Sequence, residues 1–283
     1  MGSHSRGTLF VVATPIGNLA DLSPRARQVL AEADCIAAED TRHTGRFLSR
    51  RGKQAELISL HEHNEAERVA LIVARLEAGA DVALVADAGT PLVSDPGYRL
   101  LAALRETGIR ASPIPGPCAA IAALSVAGLP TDRFVFEGFL PNRGAARRAR
   151  LATLAPETRT MIFYEAGRRL SAALGDMAGA FEPSRPATVA RELTKLHETI
   201  YHGALGELAG RAANDADMQR GELVIVVGGR TTEGQRDDSV LSDMLDVLLA
   251  ELPLAQAVKL TVRLTGARRN EVYRMAVEKW GHS

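Results

Sequence analysis

Residues 81–91, DVALVADAGTP, join an unbroken apolar run to a glycine-proline turn. A run without polar alternation marks a strand covered on both faces, as in a parallel sheet with helices on either side. Outward from it the pattern repeats. Asn64 caps a helix that runs to Glu77 and stops at Gly79. Asp95-Pro96 reads as a cap and first-turn proline opening a helix over Tyr98 to Glu106, and Ile109 to Ile114 returns as a strand. Further upstream lie strands at Thr8 to Ala13 and Cys35 to Ala38, with a helix opened by Ser23-Pro24 between them. This β-α alternation predicts an α/β domain over residues 7–116.

Beyond Pro115-Gly116-Pro117 the spacing predicts a helix from Cys118 to Val126, stopped by Gly128-Leu129-Pro130. Strands follow at Phe134 to Phe139, Thr160 to Tyr164, Thr188 to Glu192, Thr199 to His202 and Glu222 to Val227. Helices fall near Arg168 to Met177 and Ala204 to Ala213, giving a second α/β domain over 117–229. Gly228 to Ser239 is a polar linker. The remainder, 240–283, is all helical, and its Thr265-Gly266-Ala267 break resembles a helix-turn-helix connection.

The chain has 283 residues, 46% of them hydrophobic, and its 34 basic residues balance 34 acidic ones. Disorder and a disulfide scaffold are excluded by that composition, and net charge does not advertise a polyanionic partner. Two cysteines, Cys35 and Cys118, cannot form a zinc cluster by themselves and point to a reducing compartment. No apolar run is long enough to span a bilayer. The expected location is the cytoplasm, and no membrane partner is implied. Met1 to Ser5 reads as a tag-like extension and is set aside. The dinucleotide fingerprint, the P-loop and the nucleophile elbow are all missing; Gly52-Lys53-Gln54 lacks the P-loop's other residues. His61-Glu62-His63 has the ligand types for a metal, but a polar loop is the simpler reading.

Five segments carry polar and turn chemistry at strand ends or between strands. Ala13-Thr14-Pro15-Ile16-Gly17-Asn18 follows the first strand, where open α/β sheets bind ligands, although an ordinary β-α turn has the same pattern. In Ala86 to Gly97, Gly89 allows close backbone approach to a ligand, while Asp95 reads as a helix cap. Ile114 to Ala120 sets small residues at a helix start; Cys118 there is a packing residue rather than a nucleophile, since no triad partner is near in sequence. Ala38-Glu39-Asp40-Thr41-Arg42-His43-Thr44 follows the second strand, with a cap and solvated charges as its alternative. Arg191 to Glu198 alternates charges along a strand edge or a cleft wall.

Taken together, VVATPIGNLADLSPRA, AEDTRHTGRFL, SLHEHNE, ADAGTPLVSDPGY, PIPGPCAAIAAL, GLPTDRFVFEGFLP, FYEAGRR and ARELTKLHE resemble, in order, the small-subunit ribosomal RNA cytidine 2′-O-methyltransferases of the tetrapyrrole methylase superfamily. The resemblance runs from about Thr8 to Gly229. It implies an α/β, two-domain, tetrapyrrole-methylase-like (class III methyltransferase) fold with a small helical C-terminal appendix. It also implies a homodimer, S-adenosylmethionine in the cleft between the domains, and small-subunit (16S) ribosomal RNA or the assembled subunit as partner. The cofactor segment it implies is Gly89, Thr90 and Pro91, with Thr14 and Pro15 beside it and Cys118 and Ala119 as the small pair opposite. No metal is implied.

For methyl transfer to a ribose hydroxyl, Lys195 is expected near the reacting oxygen, with Glu39 or Glu192 setting its charge state. Arg143, Arg147, Arg148 and Arg150, in a stretch free of acids, are expected to meet RNA phosphates. The appendix is an RNA-facing element or a dimer contact. A corrin-precursor methylase shares the fold and cofactor but needs neither the arginines nor the tail. A catalytically silent RNA-binding protein that senses the cofactor is the remaining alternative.

Overall fold

The computed structural model describes residues 6–44, 55–61, 64–230, 238–265, 267 and 269–280. Gly52-Lys53-Gln54, Glu62-His63, most of the linker and Gly266 of the appendix break lie outside them. The chain divides into two compact units, Met1–Gly229 and Arg230–Ser283.

The first unit opens with β1 (Leu9–Val12), α1 (Pro24–Glu32), β2 (Cys35–Ala38), α2 (Thr41–Thr44), β3 (Glu56–Ser59), α3 (Glu65–Glu77), β4 (Val82–Val85), α4 (Tyr98–Thr107) and β5 (Ala111–Ile114). The strands form one sheet in the order β3-β2-β4-β1-β5, and every pairing is parallel. Apolar residues cover both faces. Leu9, Ala37 and Leu84 pack with Ile72, Leu76, Leu100 and Leu104 of α3 and α4; Val12, Ile36 and Val85 pack with Ala26 and Leu30 of α1. The parallel, doubly covered sheet is the one the run at 81–86 predicts. The edge strand β3 was not among the expected elements. It is short, and Glu56 and Leu57 are exposed, so it lacks the buried run that marks its neighbours.

Two of the expected caps work differently. Ser23 does cap α1, accepting from the Ala26 amide at 3.1 Å with Pro24 at the first position. Asn64 precedes α3 but does not cap it with its side chain; its amide group instead accepts from His61 N and donates to the Ser59 carbonyl, closing the loop after β3. Asp95 is not the cap of α4 either. That helix starts after Gly97, at φ 124°. Its first amides, Gly97 and Arg99, donate to the buried Glu65 carboxylate of α3 at 3.2 and 3.1 Å. A carboxylate from a neighbouring helix satisfies the orphan donors, which leaves Asp95 for other work.

Next come α5 (Ala119–Val126), β6 (Phe134–Phe139), α6 (Gly144–Leu154), β7 (Thr160–Ala166), α7 (Leu170–Phe181), β8 (Pro186–Arg191), β9 (Thr199–Ala204), α8 (Leu205–Asn214) and β10 (Glu222–Val227). The second sheet has the order β6-β7-β10-β8-β9. Only β6 and β7 run parallel; β10 is antiparallel to both β7 and β8, and β8 is antiparallel to β9. One face carries a core of Leu151, Phe163, Leu174, Phe181, Leu208 and Ile225 beneath α6, α7 and α8. On the other, Ile162, Ala190, Val224 and Val226 meet Ala120, Ala123 and Leu124 of α5.

The second unit holds α9 (Asp238–Glu251), α10 (Leu254–Thr265) and α11 (Arg269–Trp280), packed around Leu241, Leu245, Val258, Val272 and Ala276. Among the described residues no helix is long and apolar enough to cross a membrane.

Candidate active site

Three loops leave the carboxyl ends of β1, β4 and β5 and are bound to one another through backbone. Thr14 N donates to Gly89 O at 2.9 Å, and Gly89 N returns a bond to Thr14 O at 3.0 Å. The buried Thr14 hydroxyl donates to Ala86 O at 3.2 Å. The Thr90 hydroxyl donates to Pro117 O at 2.9 Å, tying the second loop to the third. Gly116 lies so close to the first that a Cβ there would come 2.9 Å from Ala13 Cβ. Close approach of this kind explains the small residues at all three strand ends. Gly89 has φ 84°, in the left-handed region that favours glycine.

Below these loops and against the second sheet is a cavity of about 370 Å³, within the usual range for small-molecule sites. Gly89, Thr90 and Ala119 line it, together with Lys195 and the apolar Ile16, Leu193 and Val224. Thr14, Pro15, Pro91 and Cys118 do not. Thr14 is spent on backbone bonds, and Pro15 and Pro91 are buried behind the wall. Cys118 is a half-buried free thiol at the start of α5. These four shape the wall from behind it. Asn18 also points elsewhere, capping the short turn at Leu19–Asp21.

On the side of the second sheet, the loop after β8 carries Lys195. Its Nζ donates to Glu192 Oε1 at 2.8 Å and to Glu222 Oε2 at 2.7 Å. Partial burial works against the charged amine, but these two bonds outweigh it and raise the lysine pKa, so Nζ stays cationic. Burial likewise pushes Glu192 up, and the bonds from Lys195 and from the Glu222 amide overcome that and hold it low. The loop is folded against preference, with Glu192 at φ 50° and Thr194 at φ 66°. Gly221 and Gly17 make room for it. A Cβ on Gly221 would lie 2.4 Å from Glu192 Oε1, and one on Gly17 would lie 2.4 Å from Lys195 Cγ. The partner carboxylates are therefore Glu192 and Glu222. Glu222 opens a strand and gave no sign of this in the sequence. Glu39 serves elsewhere: its charge acts on Asp95.

Asp95 lines the same cavity. Burial, then the charges of Glu39 and Asp87, push its carboxyl from an ordinary 3.8 to about 7. Tyr164, from β7, also lines the cavity, and nothing in its sequence context assigns it a role. Burial raises its phenol pKa, and its hydroxyl accepts from the Ala120 amide at 3.2 Å. Next to it, Glu165 is held up by burial, opposed by the Ala166 amide and Arg169. Arg169 pairs with Glu165 at 3.1 Å and donates to Asn142 and to the Leu140 carbonyl, fixing the loop after β6.

Of the arginine stretch, Arg147 must be withdrawn as a phosphate contact. Its side chain is only 8% exposed, and its Nε and Nη2 lie 2.8 and 2.7 Å from Asp176 Oδ2 of α7. Exposing it to a phosphate would leave the Asp176 carboxylate, 16% exposed, with only Arg148 beside it. Arg150 is half exposed but bonded to Glu137 at 2.6 Å. Arg148 is exposed, with Asp176 at 3.5 Å, and Arg143 is exposed at the start of α6.

Comparison with known proteins gives this geometry a family. The description Tetrapyrrole (Corrin/Porphyrin) Methylases matches residues 8–209. The chain belongs to the tetrapyrrole methylases. The description RsmI C-terminal HTH domain matches residues 235–279 of this methylase. It is 51% identical to Ribosomal RNA small subunit methyltransferase I of Pseudomonas aeruginosa strain PAO1, over 99% of this chain and 100% of that protein. The protein of the same name from Escherichia coli O157:H7 is 47% identical over 98% and 97%. At that identity and coverage the methylase also belongs to this narrower family, as the motifs implied. The methyltransferase CobJ has the same fold at a TM-score of 0.60 and 23% identity, over 79% of this chain and 94% of its own. A uroporphyrin-III C-methyltransferase from Thermus thermophilus complexed with S-adenyl homocysteine superposes at 0.53 and 18%, over 78% and 97%. The expected tetrapyrrole-methylase-like α/β fold is thereby confirmed.

Proposed function

We propose that the chain transfers a methyl group from S-adenosylmethionine to the ribose 2′-hydroxyl of a cytidine in small-subunit (16S) ribosomal RNA. The observation that carries the reading is Lys195: a cation suspended between two carboxylates on the wall of a cavity whose opposite wall holds the Gly89-Thr90 loop. Near-full-length identity to small-subunit ribosomal RNA methyltransferases supports the substrate.

The residues present suit the cofactor. Apolar Ile16, Leu193 and Val224 line a space of suitable size, and the Gly89 cradle would be narrowed by a Cβ, which would meet Ile16 Cγ2 at 3.3 Å. Gly89, Thr90 and Ala119 would hold it. When bound, it supplies an electrophilic methyl on a sulfonium. Lys195 would stabilise the ribose 2′-oxygen as alkoxide once its proton has passed to water; the oxygen–methyl bond then forms as the methyl–sulfur bond breaks, leaving a neutral thioether, and fixed groups of this kind contribute roughly 10²–10³-fold. Glu192 and Glu222 keep Nζ protonated and aimed. Arg143 and Arg148 are available for RNA phosphates, and the helices of residues 238–280 are read as a further RNA-facing element. The reading includes two domains meeting at residues 116 and 117, a homodimer, and a cytoplasmic location.

The test is nucleoside mapping. Small subunits from a strain lacking the protein are incubated with purified enzyme and labelled S-adenosylmethionine. Label in 2′-O-methylcytidine is expected. Label on a base, or on a corrin precursor offered in parallel but not on RNA, would overturn the reading.

A further inference from the structure

We propose that Phe139 forms a nucleobase subsite at the mouth of the cavity, a platform on which the target base stacks while its ribose is methylated. The inference rests on the RNA substrate proposed above.

Phe139 is a large apolar side chain left 58% exposed on the cavity lining. Single exposed phenylalanines are ordinary; the way this one is aimed is not. Side chains alternate faces along a strand, so residues three apart should point to opposite faces. In β6 the register against β7 shifts between Phe136 and Gly138, so that Phe136 pairs with Ile162 and Phe139 with Tyr164. Ile162 and Tyr164 share the face that meets α5. The bulge therefore turns Phe139 from the face beneath α6 and α7 onto the cavity face, the re-aiming that bulges perform beside active sites. Gly138 makes the turn at φ 66°, and a Cβ there would come 3.2 Å from Ser94 Oγ, another lining residue.

Behind the exposed ring is rigid support. Tyr164 meets Phe139 edge-on at 5.5 Å between centroids and Phe136 at 4.9 Å, and the Tyr164 hydroxyl is fixed by the Ala120 amide. One ring face is thus held in place on the lining of the cavity that also contains Lys195. Single-stranded RNA is recognised by splaying out a base and stacking it on an aromatic side chain, and such a stack is insensitive to which base is present.

The experiment uses the full chain, small subunits lacking the modification, and two variants. Phe139→Leu keeps apolar bulk and removes the π face; Phe139→Trp keeps it. Expected for Phe139→Leu is a loss of roughly 5- to 150-fold in kcat/KM for subunits, from the usual strength of base–aromatic stacking, with unchanged S-adenosylmethionine affinity by calorimetry. Phe139→Trp should stay near wild type in both. A wild-type rate in Phe139→Leu overturns the subsite. So does an equal loss in Phe139→Trp, which would mark a packing position. A parallel loss of cofactor affinity would place the ring against the cofactor instead and also refutes it. If the wild-type chain itself transfers no methyl to subunits, the substrate reading fails and the subsite fails with it; activity of the wild type separates that outcome from the others.

Discussion

At the ends of β1, β4 and β5 the cavity wall is backbone: Thr14 and Gly89 exchange peptide hydrogen bonds, and Gly116 sits against Ala13. Across from it, the wall on β8 and β10 is side chain, with Lys195 strung between Glu192 and Glu222. Such a wall offers fixed backbone donors and acceptors, with Asp95, raised to about 7, as its strongly shifted acid, and is suited to holding one unvarying cofactor. A charged side-chain wall concentrates field at one point, suited to a reaction in which charge appears. The two halves should therefore fail differently.

The largest expected effect lies in the second half and is structural. Arg147→Met leaves Asp176, 16% exposed, with only Arg148 at 3.5 Å. Breaking a buried pair in this way costs about 3–5 kcal/mol, and the residual Arg148 contact puts this case near the lower figure. Urea unfolding measures it. A loss under about 1 kcal/mol, below what even a single lost hydrogen bond to a charged group costs, would show that Arg147 is not an anchor and return it to the RNA-contact set.

Gly17→Val probes the contact between the halves. Its Cβ would enter the space of Lys195 Cγ and lie 2.8 Å from Thr194 Oγ1. Displacing a reacting group by about 1 Å costs on the order of 10²-fold in rate. Turnover should fall by that much while cofactor affinity holds. An equal fall in both would mean that the halves are not separable.

A smaller, pH-dependent effect comes from Asp95. Its pKa is raised to about 7 in the folded state by burial, Glu39 and Asp87. Folding takes up a proton between pH 3.8 and about 7, so stability declines as pH rises through that window and stays at its lower level above it. Asp95→Asn removes the buried charge. The variant should melt higher than wild type at pH 8, with the difference shrinking toward pH 4. Thermal melts at both pH values check this; a constant difference would place Asp95 in solvent.

The smallest effect concerns RNA. Arg143→Ala with Arg148→Ala should lower the log–log salt dependence of subunit binding by roughly 0.7 per contact. An unchanged slope would confine RNA contact to other surfaces.

The first half was largely legible from its residues. DVALVA could only be a doubly covered strand, and Gly89, Thr90 and Gly116 announce close backbone approach because no larger residue fits there. Strand β3 escaped because an exposed edge carries no buried run. In the second half the strands are legible but not their directions, since residue type does not record whether neighbours run parallel; the sheet is mixed. Lys195 and Glu192 stood out as charges in a short loop. Glu222, opening a strand, looked like a solvated end. In sequence Asp95 reads as a cap because Asp-Pro before a helix usually is one, and the residue that takes that place, Glu65, belongs to a different helix. Sequence showed the arginines of α6 as a cluster, but only packing against Asp176 separates the buried one from the exposed ones.

The division of labour between backbone and side-chain walls is tested most directly by measuring Gly89→Val and Lys195→Met side by side, with S-adenosylmethionine calorimetry and single-turnover methyl transfer to small subunits on each. Valine at φ 84°, 3.3 Å from Ile16 Cγ2, should weaken cofactor binding by about tenfold, from a strain of roughly 1–3 kcal/mol. Lys195→Met should bind the cofactor normally and turn over roughly 10²–10³-fold more slowly. A wild-type rate in Lys195→Met, or normal affinity in a folded Gly89→Val, would contradict the account.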